Sequence, residues 1–343
     1  MLVSDFDYEL PLELIAQKPL PERAQSRMMV LHRETREIIH SQFKEFPAYL
    51  KKDDVLVINT TRVIPARAYG SKQGKDIEFL FLGETGKKTW EVICRPARKV
   101  RLGDTVSFSD RLAGEVVSIS SEGRRSLRFD SENVLAELKE IGYAPLPPYI
   151  KRRTKEESMR ALDITRYQTV FAKKEGAIAA PTAGLHFTPG IIEKIKARGV
   201  TIAEITLKVG LATFQPVRVK KVEDHRMLEE NYTINPSASQ TINKALKESR
   251  PVTAVGTTSV RALESAFKKG KIRPGTTKTS LFIYPGYRFK AVDRLLTNFH
   301  LPRSTLLMMV SAFAGLDFIR KAYKEAVHKK YRFYSYGDCM LII

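Results

Sequence analysis

Two histidines stand where residue type and spacing suit proton transfer. His186 lies in Ala177–Gly190, where a short apolar run meets Pro181 and Thr182-Ala183-Gly184 supplies small residues that let a ligand approach the backbone. Thr188-Pro189 then reads as an N-cap with proline at the first helical position, opening a helical run to Arg198 that Gly199 stops. His300 closes the run Leu295–Leu301, ahead of Pro302 and the Ser304-led helical segment Thr305–Phe313. An imidazole gives or takes a proton near pH 7, and a helix start leaves N–H groups free for an anion. A third turn, Gly256-Thr257-Thr258-Ser259, combines glycine with hydroxyls after the apolar strand Pro251–Val255. Each turn also has a plainer reading, a well-capped corner whose polar groups satisfy one another.

The elements that must position these turns alternate. From Ala177 onward, strand-like runs (Val200–Val209, Pro251–Val255, Leu295–Leu301) are separated by helical runs (Ile191–Arg198, Val260–Lys268, Thr305–Phe313), the pattern of an α/β sheet or barrel. In such folds the strand-to-helix turns gather at one side, so the three turns should be neighbours in space. Between Ala68 and Gly142 the texture differs. Ile77–Leu82, Thr89–Cys94, Thr105–Phe108, Gly114–Ser118 and Ser126–Phe129 are short alternating runs between glycine-bearing turns, which predicts a small β-barrel or sandwich. A helix over Glu132–Leu138 closes it, and proline-rich joints at Pro65 and Pro145–Pro148 flank it. The expected architecture is therefore α/β: a large body, barrel-like or open-sheet, over 1–67 plus 143–343, with an inserted small all-β barrel over 68–142.

Composition narrows the function. The chain has 58 Lys and Arg against 38 Asp and Glu, a formal net charge of +20, which points to a polyanion partner. The cations are spread as doublets rather than gathered in a tail, so a folded basic face is expected. Lys87, Lys88 and Arg98 of the β module are candidates for nucleic-acid docking. Two distant cysteines, Cys94 and Cys339, suit a reducing cytoplasm, and acids rather than cations follow Met1, unlike a signal peptide. No apolar run approaches the roughly 20 residues of a membrane span. Dinucleotide, phosphate-loop, nucleophile-elbow and zinc-protease motifs are all missing, so no metal site is expected.

Several segments together resemble one family, the S-adenosylmethionine:tRNA ribosyltransferase-isomerases of the queuosine pathway. They are Asp5–Pro11, Thr61–Arg67, Pro145–Ile150, Ala180–Phe187, Thr213–Val217, Val255–Arg261, Thr297–Pro302 and Tyr331–Asp338, nearly end to end. The resemblance implies an α/β body carrying a small β-barrel, and an enzyme that takes a ribosyl group from S-adenosylmethionine. The acceptor would be the aminomethyl-deazaguanine at the wobble position of tRNAs with a GUN-type anticodon. The products would be epoxyqueuosine-tRNA, adenine and methionine. S-adenosylmethionine is then a consumed substrate, with no cofactor; the oligomeric state is expected to be monomeric.

That chemistry needs a base beside the sulfonium, an acid for departing adenine and a neutral amine nucleophile. His186 and His300 rank first for proton transfer, with His225, in Glu223–Met227, matching a further family segment. Asp338 is a candidate partner for the substrate amine or for an arginine. Arg62, Arg67 and Arg261 suit the RNA backbone, the methionine carboxylate or a structural salt bridge. Thr257, Thr258 and Ser259 cap a helix and suit a carboxylate, while Thr182, Gly184 and Asn298 lie in matching turns. Phe187, Tyr284 and Phe299 suit either a sulfonium and base or the core. The family pattern is broken at Thr60, Lys208, Ala212 and Leu228, two of which replace frequent histidines, so weight shifts to His186, His225 and His300. Two other readings compete: a basic RNA-binding protein without chemistry, and a sugar-phosphate isomerase or lyase. The latter leaves the net charge and the β module unexplained.

Overall fold

Val55–Asn59 and Val252–Val255 are buried at every position, and Arg294–Asn298 at all but its first. Runs this apolar on both faces belong in the middle of a covered sheet. In the computed structural model, which describes residues 1–153, 155–210 and 217–343, they form the centre of a nine-stranded open sheet. Its order is Gly275–Thr279, Glu230–Ile234, Thr201–Leu207, Val55–Asn59, Val252–Val255, Arg294–Asn298, Cys339–Ile342, Arg27–Leu31, Ile38–Gln42. The strands from Thr201–Leu207 through Arg294–Asn298 run parallel, so Leu207, Asn59, Val255 and Asn298 end at one edge. Cys339–Ile342 pairs antiparallel with Arg294–Asn298, setting Cys339 opposite Asn298.

Alternation within each strand divides the core. Val55, Val57, Ala254 and Leu295 pack with helical residues of Pro236–Lys247, Thr257–Ala266, Thr305–Ala314 and Leu316–His328. Leu56, Ile58, Val255 and Leu296 face the other way, against Phe43, Phe46, Phe187 and the helix Pro189–Ala197. The central strands are thus covered on both sides.

The second unit is a closed six-stranded antiparallel barrel built from Arg67–Lys72, Lys75–Gly86, Thr89–Arg95, Thr105–Ser109, Leu112–Ile119 and Arg125–Phe129. Glycine is required at position 70, where a Cβ would stand 2.4 Å from Val106 Cγ1 and 3.1 Å from Phe79. Helix Val134–Ile141, capped by Asn133, contributes Val134 and Leu138 to the barrel core.

One expectation fails locally. The run beginning at Ala177 is not a strand of the main sheet. Lys174–Ala177 pairs instead with Thr61–Val63 in a separate two-stranded parallel ribbon, and Thr182–His186 is a 3₁₀ turn. The edge beside Val55–Asn59 is already taken by Thr201–Leu207, and Ile178 N–H bonds Val209 O at 3.0 Å beyond that strand's end. The helix after Gly256 also begins earlier than its apolar spacing predicts, at Thr257.

Candidate active site at the strand carboxyl ends

A cavity of about 390 Å³ opens at the edge where the parallel strands end. Gly256, Thr257, Thr258, Thr297, Asn298, Phe299 and His300 line it from the strand ends. Tyr149, Pro181, Thr182, Arg303, Tyr334 and Ser335 line it from loops. Two helices, Thr257–Ala266 and Thr305–Ala314, begin there, and Gly256 takes φ +84° at the first of these corners. Ser304 caps the second by accepting from Leu307 N–H at 3.2 Å. Among the described lining residues Arg303 is the one permanent charge, paired with Asp7, and none is a carboxylate. The site therefore suits a ligand whose anionic end meets N–H groups and whose cationic centre meets aromatic faces. Tyr149 and Tyr334 supply such faces, their ring centroids 4.6 Å apart, with Tyr149 Oη 2.7 Å from Ser335 Oγ.

Asn298 is held from behind. Its Nδ2 donates to Tyr334 O at 3.1 Å and lies 3.4 Å from Asp338 O, which fixes the amide orientation. His186 Nε2, 3.2 Å from the same Nδ2, must then accept, and its Nδ1–H donates to Ser26 Oγ at 2.9 Å. Burial, then the charges of Arg23 and Arg332, push this imidazole down to about 3, so it is neutral at physiological pH. Asn298 Oδ1 is buried without a partner among the described residues. An acceptor left open on a residue that lines a cavity is what a ligand N–H requires.

His300 faces the same cavity. Its Nε2 lies 2.9 Å from Thr297 Oγ1, its N–H donates to Tyr323 Oη at 2.9 Å, and its carbonyl accepts from Tyr8 Oη at 2.6 Å. Burial pushes its imidazole down to about 3 as well.

Six expected site residues therefore meet: Thr182, Thr257, Thr258, Asn298, Phe299 and His300. The others lie elsewhere, each for a visible reason. His186 is 3% exposed and stands behind Asn298. Gly184 packs so closely that a Cβ would stand 2.7 Å from Phe171, and Phe187 packs among Phe43, Phe46 and Phe171. Ser259 Oγ donates to Val255 O at 2.7 Å. Arg261 is buried in an ion pair with Glu230 and donates to Leu281 O at 3.1 Å. His225 and Tyr284 both pack on Phe282, with centroids 5.1 Å away. Asp338 finds an arginine rather than the cavity: it accepts from Arg27 N–H at 2.9 Å and Arg332 N–H at 2.8 Å, and bridges Arg27 Nε at 3.3 Å. Arg62 donates to Ala172 O at 2.8 Å from an exposed position, and Arg67 to Leu146 O at 2.7 Å.

Of the departures from the family pattern, Thr60 is buried, donating to Ile205 O at 3.1 Å, Lys208 is exposed and Leu228 is partly buried. Ala212, with the segment from Thr213 to Pro216, lies outside the described residues. The barrel's cations are partly answered by acids: Lys88 pairs with Glu132, Arg124 with Glu91 and Glu122, and Arg128 with Glu115. Sequence reasoning missed Tyr149, Tyr334, Ser335 and Arg303 as lining residues. They sit on irregular loops; Tyr149, Tyr334 and Ser335 lie inside matching segments and Arg303 directly follows one, which was the only signal for them.

Fold and cavity define the class: an α/β protein with a cavity of small-molecule size at the carboxyl ends of its parallel strands, carrying a closed β-barrel. The family model described as "Queuosine biosynthesis protein" matches residues 3–342. Curated relatives named S-adenosylmethionine:tRNA ribosyltransferase-isomerase include those of Carboxydothermus hydrogenoformans, 49% identical, and Symbiobacterium thermophilum, 50% identical, each covering 100% of both chains. A crystal structure of S-adenosylmethionine tRNA ribosyltransferase from Thermotoga maritima is 38% identical with a TM-score of 0.57, over 99% of this chain and 100% of that one. This chain belongs to the queuosine biosynthesis protein family.

Proposed function

We infer that this chain is an S-adenosylmethionine:tRNA ribosyltransferase-isomerase. It transfers and isomerises the ribosyl moiety of S-adenosylmethionine onto the aminomethyl-deazaguanine at the tRNA wobble position, giving epoxyqueuosine-tRNA, adenine and methionine. The observation that carries this reading is full-length identity of about half to relatives of that name, in a chain whose strand-end cavity has no carboxylate among its described lining residues. The donor brings a carboxylate, a sulfonium and an adenine. Thr257, Thr258 and the two helix starts suit the carboxylate, the Tyr149 and Tyr334 rings suit the sulfonium, and Asn298 Oδ1 suits an N–H of adenine or of the acceptor amine.

His300 is the proton carrier in this reading. With Nε2–H given to Thr297 Oγ1, Nδ1 keeps its lone pair for the carbon acidified by the adjacent sulfonium. Burial holds the ring neutral, the form that can accept that proton before passing it to departing adenine. The donor is consumed, so the reaction needs no resident cofactor. Acceptors are tRNAs with a GUN-type anticodon, the active species is a monomer, and buried free cysteines Cys94 and Cys339 suit the cytoplasm. No helix of the described residues is long and apolar enough to cross a membrane.

Incubating the protein with S-adenosylmethionine and an anticodon stem–loop bearing the aminomethyl base should release adenine in step with modified RNA. RNA binding without adenine release would overturn the assignment in favour of a non-catalytic RNA-binding protein.

A further inference from the structure

Beside the cavity stand three arginines that pair with no acid among the described residues. Arg23 donates to Leu185 O and Thr165 O, both at 3.0 Å. Arg166 donates to Pro21 O at 3.0 Å and Leu20 O at 2.7 Å, and Arg332 to Lys18 O. The acids close by are engaged elsewhere: Asp338 by Arg27 and the Arg332 main chain, Asp163 by Arg152 and Tyr336. Arg166 Nε and Arg332 Nη1 are buried with no partner among the described residues. The three form one cluster: Arg166 acts on Arg23, whose guanidinium is pulled down to about 10 by burial and then by that neighbour, while Arg23 and Arg332 both act on the His186 ring. A recess of about 20 Å³, lined by Arg23, Arg166, Leu185, His186, Ser335 and Gly337, opens beside the first two of the three. That is room for roughly one oxygen atom. Ser335 lines both this recess and the larger cavity.

We propose that this recess seats a phosphodiester oxygen of the RNA substrate, at the linkage next to the nucleotide being modified. The proposal rests on the reading of RNA as acceptor. Guanidinium groups pinned on backbone carbonyls are pre-set to meet a phosphate, and the Arg23 and Arg166 charges, paired with no acid among the described residues, favour an incoming anion beside the partnerless Arg166 Nε. Of the two substrates only the RNA carries phosphate, and the donor's one anion, its carboxylate, has helix starts available in the cavity. Because Ser335 lines both, a base held in the cavity brings its own backbone towards the recess. Exposed Lys18 directly precedes Pro19, which lines the recess, and adds a further cation there. Such contacts position the RNA without reading its sequence.

The test measures binding of the aminomethyl-bearing anticodon stem–loop to full-length protein across a salt series, for wild type, Arg23→Gln, Arg166→Gln and Arg166→Lys. Each glutamine variant should weaken RNA binding roughly tenfold. Each should also reduce the slope of log affinity against log salt by about 0.7. Arg166→Lys should keep most of the slope, and S-adenosylmethionine affinity should hold in all variants. Should the variants fold poorly, stem–loops with one uncharged methylphosphonate linkage decide on wild type alone: one linkage beside the modified base should reproduce the loss. Unchanged salt slopes would overturn the site, as would equal tolerance of every uncharged linkage. Loss of donor affinity with intact RNA slopes would also overturn it, assigning the recess to the donor carboxylate. Lack of adenine release by wild type strikes the reaction reading instead, and the salt slopes still decide the phosphate site.

Discussion

Replacing His186 separates a proton carrier from a support. The ring reaches Asn298 through Nε2 at 3.2 Å and Ser26 through Nδ1 at 2.9 Å, and it does not line the cavity. Glutamine can reproduce the Nε2 acceptor, whereas alanine removes it and leaves Asn298 Nδ2 only its carbonyl partners. If His186 positions Asn298, His186→Ala forfeits about one well-aimed hydrogen bond in the transition state, roughly 1–3 kcal/mol or about 5- to 150-fold in single-turnover adenine release. His186→Gln should recover most of that rate. A proton-transfer role predicts instead an equal loss in both variants, on the order of 10²–10⁴-fold. Equal losses of that size in folded protein would refute the positioning argument.

The same ring makes a stability prediction. Its native value of about 3 lies below the ordinary 6.5, so the unfolded chain takes up a proton at acidic pH and the native state does not. Stability from this group is complete above pH 6.5 and falls as pH drops towards 3, by about 1.4 kcal/mol per pH unit. At pH 5 the loss is about 2 kcal/mol, and His186→Gln should lack it. Urea unfolding of wild type and His186→Gln at pH 7.5 and 5 measures the difference. An identical pH dependence in both proteins would mean that the ring is not held neutral by burial.

His300→Gln should cut single-turnover adenine release by roughly 10²–10⁴-fold while donor affinity changes only a few fold; a near wild-type rate would remove His300 from proton transfer. Arg261→Met leaves Glu230 buried without its cation and should cost about 3–5 kcal/mol in urea unfolding. A loss below about 1 kcal/mol would show that the pair is solvated. Gly70→Ala places a methyl group against Val106 inside the barrel and should lower stability by roughly 1–3 kcal/mol, read from the thermal midpoint.

Much of the architecture was legible in the residues. Near-continuous apolar runs such as Val55–Asn59 and Val252–Val255 declare buried parallel strands, because a strand covered on both faces cannot alternate. The barrel was equally readable, since Ile77, Phe79, Phe81 and Val92 fill a single interior while the residues between them, Glu78, Leu80 and Glu91 among them, stay partly exposed. The turns at Gly256–Thr258 and Asn298–His300 were marked as a site by glycine, hydroxyl and imidazole, and they do share a cavity.

Burial and partnership are properties of three-dimensional neighbours, and the chain order does not contain them. His186 and His300 look alike as imidazoles in loops before capped helices. Only the fold puts one ring on the cavity and the other behind Asn298, because the edge of Val55–Asn59 is filled by Thr201–Leu207 and the Ala177 run is displaced onto Thr61–Val63. Arg261 and Arg23 are likewise equal as residues. One is spent on Glu230 and the other is held on carbonyl groups with its charge unanswered, a difference made by strands and loops far apart in sequence. Composition, periodicity and motif thus determined the fold class and the family. The distances between segments decided which of the marked residues hold the structure together and which are left free to meet a substrate.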